Sequence, residues 1–181
     1  MMGLPERIVA LHKALAKAEL PHAFGGALAL AWCTQRARGT IDIDVNVFVD
    51  TQQSADVFRA LPKKVVRDED DLETLRREGQ VRIWWDKTPL DLFLNTTPFH
   101  HEAALRTRWE LFAGESLPFL SCDDVAVFKA FFNRTKDWAD IEEMIAAGTL
   151  DIAQVTAVLV RYVGIDDERI ARLTALGRAA P

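Results

Sequence analysis

The chain has 181 residues and a mass of 20.3 kDa, with 49% hydrophobic and 27% charged residues. That length can bury a sizeable core without staples, and the mixture excludes a disordered or low-complexity chain. A net charge of −5 argues against a protein coated in nucleic acid, while leaving room for local basic patches.

The first helical signal runs from Glu6 to Leu20, with Ile8, Leu11 and Leu15 at helical spacing, and Pro21 ends it. The opening MMGLPERIVALHK reaches a glutamate and an arginine at once, against a signal peptide. A short strand at His22–Phe24 runs into Gly25-Gly26, followed by a helix over Ala27–Gln35. Ile41 to Val49 alternates as a strand does: Ile41, Ile43, Val45, Val47 and Val49 on one face, Asp42, Asp44 and Asn46 on the other. Thr51–Leu61 reads as helix, Lys63–Arg67 as strand, Asp70–Arg77 as helix. Gln80–Trp85 and Leu90–Leu94 then read as strands joined by a tight Asp86–Pro89 turn. From Asp123, the expected helix cap, the pattern turns helical: Val125, Phe128 and Phe132 share one helix, Lys136–Ala147 form the next before Gly148, then Ile152–Tyr162 and Glu168–Leu176. The expected fold class is α+β, a mixed sheet flanked by helices with a helical C-terminal portion. The expected division is a core over 1–120 and a helical portion over 121–181.

The longest uncharged stretch, Ala23 to Cys33, is too short to cross a bilayer, which takes about 20 residues, so no membrane partner is expected. Cys33 and Cys122, far apart and in no CxxC arrangement, read as reduced thiols in a cytoplasmic protein. Trp32, Trp84 and Trp85 read as packing residues, and His100-His101 as a loop or core pair.

Chemistry concentrates in FGGALALAWCTQRARGTIDIDV, residues 24–45. A glycine pair between strand and helix lets a phosphate approach the backbone, although such turns are common. Asp42 and Asp44 stand two apart on one strand face, with Cα atoms roughly 6.6 Å apart. They can reach one cation cluster or form a solvated face. Asp91, alone among apolar residues in PLDLFL, adds a third acid on a strand that can lie beside the first. Three carboxylates below a glycine turn make a coherent two-metal phosphoryl-transfer site.

The order Gly25-Gly26, helix, Arg38-x-Thr40-x-Asp42-x-Asp44, then a strand Asp91, resembles the nucleotidyltransferases of the DNA polymerase beta superfamily. The later stretch DDVAVFKAFFNRTKDWADIEEM, residues 123–144, is similar to the helical motif of the AbiEii/AbiGii-type toxin nucleotidyltransferases. The resemblance implies that Gly25, Gly26, Arg38, Thr40, Lys129 and Asp137 serve the nucleotide. It implies that Asp42, Asp44 and Asp91 carry catalysis and ligate two magnesium ions, with manganese as an alternative. Many superfamily members have Gly-Ser where this chain has Gly26-Ala27, which removes one phosphate contact. The implied reaction moves a nucleoside monophosphate from an NTP to an acceptor hydroxyl. The acceptor is a tRNA 3′ end in the toxin reading, which also implies an antitoxin partner. It is an antibiotic hydroxyl in the aminoglycoside-type alternative, and a non-catalytic binding module is the third reading. Arg59, Lys63, Lys64, Arg67, Arg76, Arg77 and Arg82 are the cations available to RNA, interleaved with the acids at 68–71.

Overall fold

The computed structural model describes residues 2–36 and 39–179, which fall into two units. The first holds residues 2–28 and 39–120, the second residues 29–36 and 121–179.

All strands lie in the first unit: β1 (His22–Phe24), β2 (Ile43–Asp50), β3 (Val65–Val66), β4 (Gln80–Trp85), β5 (Thr88–Asn95), β6 (Arg108–Phe112) and β7 (Glu115–Phe119). They form one sheet in the order β3-β4-β5-β2-β1-β7-β6. The β2–β5 and β1–β7 pairs are parallel and the rest antiparallel. The core follows from alternation in the central parallel pair. Ile43, Val45 and Val47 stand opposite Leu90, Leu92 and Leu94, and all six are buried. Each such side chain contributes about 1.5–3 kcal/mol on leaving water, as an upper estimate. The other face of the same strands is thereby left to Asp44, Asn46, Asp91 and Phe93.

The helices of this unit are α1 (Leu4–Lys17), α3 (Ser54–Ala60), α4 (Glu69–Glu78) and α5 (Pro98–Leu105), and α2 (Gly26–Cys33) begins in it and ends in the second unit. Ile8, Leu11 and Leu15 of α1 are fully buried. Arg7 of the same helix donates to the Thr88 hydroxyl and lies 2.7 Å from the Asp86 carboxylate, fastening the β4–β5 turn.

The second unit adds α6 (Cys122–Phe132), α7 (Thr135–Ala146), α8 (Ile152–Val163) and α9 (Glu168–Ala179). The cap of α6 is Ser121, whose hydroxyl accepts from the Asp124 amide, and not Asp123 as expected. Asn133 adopts a left-handed conformation (φ 56°) and stops α6. Trp138, fully buried at the start of α7, donates to the Asn133 side chain at 2.6 Å and fixes that break.

The α+β class holds: a mixed sheet with flanking helices and a helical C-terminal portion. Several local expectations do not. The strand β2 starts at Ile43, so Ile41 lies before it and is exposed. The β4–β5 turn is shorter than the expected Asp86–Pro89, because Thr88 already pairs with Trp85. Helix α5 and strands β6 and β7 carry no clean period and are found only in the structure. Of the tryptophans expected to pack, Trp85 is buried, whereas Trp32 and Trp84 are exposed. His100 is buried in α5 and bonds to Thr97, in keeping with a core histidine. The largest correction concerns the cysteines. Cys33 at the end of α2 and Cys122 at the start of α6 are joined by a disulfide across a Cα–Cα distance of 5.4 Å, so neither is a free thiol.

Candidate active site

The glycine turn after β1 is built around Asp44. The Gly25 amide donates to the Asp44 carbonyl at 2.9 Å. Gly26 has φ +51°, a conformation that disfavours any side chain, and a Cβ there would collide with the Asp44 carboxylate. A Cβ on Gly25 would stand 3.1 Å from Leu120 and 3.2 Å from the Asn46 amide nitrogen. The Asp44 carboxylate therefore nestles against bare backbone where α2 begins, the end of a helix that favours negative charge.

Asp42 sits one residue before β2, held by Thr40. The Thr40 hydroxyl donates to the Asp42 carboxylate and receives the Asp42 amide at 3.3 Å. This small turn aims the carboxylate and uses the Thr40 hydroxyl that the resemblance gave to the nucleotide. Across the sheet, Asp44 and Asp91 are register partners in the parallel β2–β5 pair, so their Cα atoms are about 4.8 Å apart. Asp44 and Asp91 thus share one sheet face, with Asp42 just ahead of β2.

A fourth residue completes the cluster. Arg82 of β4 is the antiparallel register partner of Asp91 and grips it with two bonds, Nε to Oδ1 at 2.7 Å and Nη2 to Oδ2 at 2.6 Å. The same guanidinium comes within 3.9 Å of the Asp42 carboxylate. The Asp91 bonds and charge, with Asp42 and Asp44 behind them, push the Arg82 pKa further up, so its cation is permanent. Among the described residues, no group of three or more His, Cys, Asp or Glu is gathered as a ready metal site. The donor chemistry nevertheless fits a hard divalent ion: oxygen ligands only, with Asp44 and Asp91 on neighbouring register positions and Asp44 seated against the Gly26 backbone. Sequence reasoning placed Arg82 among surface cations. Its partner was readable only with the turn placed correctly, since a second strand starting at Leu90 sets Arg82 opposite Phe93.

Lys129 and Asp137 lie in the second unit, in an ion-pair network of their own. Lys129 stands 2.6 Å from Asp140 and 3.6 Å from Asp137. Asp137 is fully buried, and Arg134 donates to it from both its side chain and its backbone amide. Burial pushes the Asp137 carboxyl up, but the Arg134 bonds and the Lys129 charge outweigh it and hold the group below the usual carboxylate range. The two residues stand on separate helices, Lys129 on α6 and Asp137 on α7, with the break at Asn133. Arg38 lies outside the described residues.

No protein-family model and no curated protein matches the sequence. Solved structures do match. The antibiotic-resistance factor ANT(2'')-Ia aligns with a TM-score of 0.55 at 15% identity, over 97% of this chain and 91% of that one. An antigenic nucleotidyltransferase-like protein from Paracoccidioides brasiliensis aligns at 0.56 and 15%, over 98% and 93%. The lincomycin-bound lincosamide adenylyltransferase LnuA aligns at 0.53 and 12%, over 78% and 96%. The fold is accordingly that of the nucleotidyltransferases. Among the described residues, no helix is long and apolar enough to cross a membrane.

Proposed function

We propose that this chain is a metal-dependent nucleotidyltransferase that moves a nucleoside monophosphate from an NTP to an acceptor hydroxyl. The observation that carries this reading is the register pair Asp44 and Asp91 on one sheet face, with Asp42 near the same guanidinium that grips Asp91 and Asp44 set against the bare Gly26 backbone. Asp42, Asp44 and Asp91 would hold two magnesium ions, which activate the attacking hydroxyl and neutralise charge on the phosphates. Gly25 and Gly26 admit the triphosphate close to the chain, with Arg38 as a further cation for it. Thr40 acts by orienting Asp42. Lys129 and Asp137 reach the nucleotide in this reading only if Lys129 exchanges Asp140 for a phosphate.

The acceptor is a tRNA 3′ end, with the chain as the toxin of a toxin–antitoxin pair. A second acceptor class is an antibiotic hydroxyl, favoured by the likeness to ANT(2'')-Ia and LnuA. Of the cations considered for RNA, Arg59, Arg77 and Arg82 pair with acids, and Arg67 bonds to backbone carbonyls. That leaves Lys63, Lys64 and Arg76 as the cations through which a tRNA would be engaged.

The test is label transfer from each α-labelled NTP with magnesium, to total tRNA in one reaction and to aminoglycosides and lincosamides in another. Label on either acceptor, lost in a D42N/D44N variant that still folds, supports transfer and selects the acceptor. A D42N/D44N variant as active as the wild type would sink the site assignment.

A further inference from the structure

Arg82 closes the carboxylate cluster from β4, and its geometry is unusual for a surface cation. It lies directly opposite Asp91, which lies directly opposite Asp44, so the guanidinium stands at the end of a cross-strand row of acids. Its fork uses both oxygens of Asp91, the ones a metal ion would need. The two partners differ in freedom. The Arg82 side chain is 54% exposed and the Asp91 side chain 14%. A long, half-exposed side chain can swing into water, while the short carboxylate on a sandwiched strand stays where β5 puts it.

Carboxylates gathered this closely repel one another unless positive charge stands among them. Arg82 brings such charge to Asp91 and, at longer range, to Asp42. We propose that Arg82 is the resident counter-cation of this site: it holds Asp91 in the metal-free protein, and an arriving divalent ion displaces it. The inference rests on the reading of Asp42, Asp44 and Asp91 as metal ligands. It makes ion binding an exchange, divalent ion in and guanidinium out, so Arg82 weakens apparent metal affinity while stabilising the metal-free site. Arg82 is a positioning residue here. A lysine in its place keeps the charge but holds one oxygen at a time, so it competes less well.

The experiment is Mn2+ titration of the full chain without nucleotide, followed by the electron-paramagnetic-resonance signal of the free ion at constant ionic strength. The samples are wild type, R82Q, R82K and D42N/D44N, and the melting temperature of each is taken with and without Mn2+. R82Q should bind Mn2+ about tenfold tighter than wild type, the scale of one charge-assisted pair that no longer competes, with R82K between them. Without metal R82Q should melt lower than wild type, and Mn2+ should raise it by more. R82Q with wild-type or weaker affinity would overturn the exchange and leave the metal site standing, provided D42N/D44N has lost Mn2+. Equal binding by D42N/D44N and wild type, or binding by none of the four, would remove the metal site and the inference together.

Discussion

Gly26 and Asp44 compete for one volume: the Asp44 carboxylate fills the place that any Cβ on residue 26 must occupy. The positive φ of Gly26 alone makes alanine there cost about 1 kcal/mol, and moving Asp44 adds to it. G26A should therefore lower the melting temperature and cut label transfer at least about 100-fold, because a carboxylate displaced by about 1 Å no longer aligns the reacting groups. G25A presses only on the ends of Leu120 and Asn46, which can give way, and should be much milder. Thermal melts and label transfer on both variants check the contrast. Equal losses would mean that the turn matters only for folding.

Lys129 separates a structural from a phosphate role. Its ammonium faces Asp140 and Asp137, with little of any of the three exposed. Removing one partner of such a network costs about 2–4 kcal/mol, because the acids left behind are burdened by their burial. K129M should lose that much in urea unfolding, and K129M/D140N should recover part of it. A K129M protein of unchanged stability with a raised KM for NTP would instead give the lysine to the nucleotide.

Stability should weaken in mild acid through His22. Burial lowers its pKa to about 4, with the Leu20 carbonyl bond opposing and the His12 charge adding to the fall. His22 Nδ1–H donates to the Leu20 carbonyl at 2.7 Å, so Nε2 accepts from His12 at 2.9 Å and has no room for a proton. Above pH 6.5 both folded and unfolded chains carry neutral imidazole. Below it the unfolded chain takes up a proton that the folded chain refuses until about pH 4. Unfolding free energy should fall by about 2–3 kcal/mol across that window. Chemical denaturation at several pH values, with H22Q as the reference, should show a shallower slope in the variant.

Breaking the Cys33–Cys122 bridge should loosen the second unit. The bridge spans 89 residues of chain, and such a closure contributes about 2–4 kcal/mol by restricting the unfolded state. Reductant should lower the melting temperature of the wild type to that of C33S/C122S and leave the variant unaffected. Thiol titration under denaturing, non-reducing conditions should find no free thiol.

The sequence made the fold class legible where periodicity was strong. The alternation of Ile43, Val45 and Val47 named β2 and its acidic face, and the spacing of Ile8, Leu11 and Leu15 named α1. It was silent on β6, an edge strand that leaves Trp109 and Leu111 exposed, and on β7, where Leu117, Pro118 and Phe119 are buried in a row, so neither alternates cleanly. Alternation alone put Asp42 and Asp44 on one face of a strand, while the place of Asp91 beside Asp44 depends on the β2–β5 register that only the structure gives. What no single segment could carry was their cation. The Arg82–Asp91 pair depends on a hairpin register set by a turn two residues shorter than its composition suggests. The disulfide was hidden for a similar reason, since its halves meet only through the tertiary path of α2 and α6.

The position of β2 has a kinetic consequence. It pairs with β5 along most of its length and with the three-residue β1 at its middle, and so lies at the centre of the seven-strand order. Backbone amides so placed exchange with solvent only when the whole unit opens, whereas β4 lies next to the short outer strand β3. Asp44 thus rides on an interior strand, whereas the outer side of β4, where Arg82 sits, is paired only at Trp84 and Trp85. Whatever enters the cluster meets acids fixed in place and a cation that can yield.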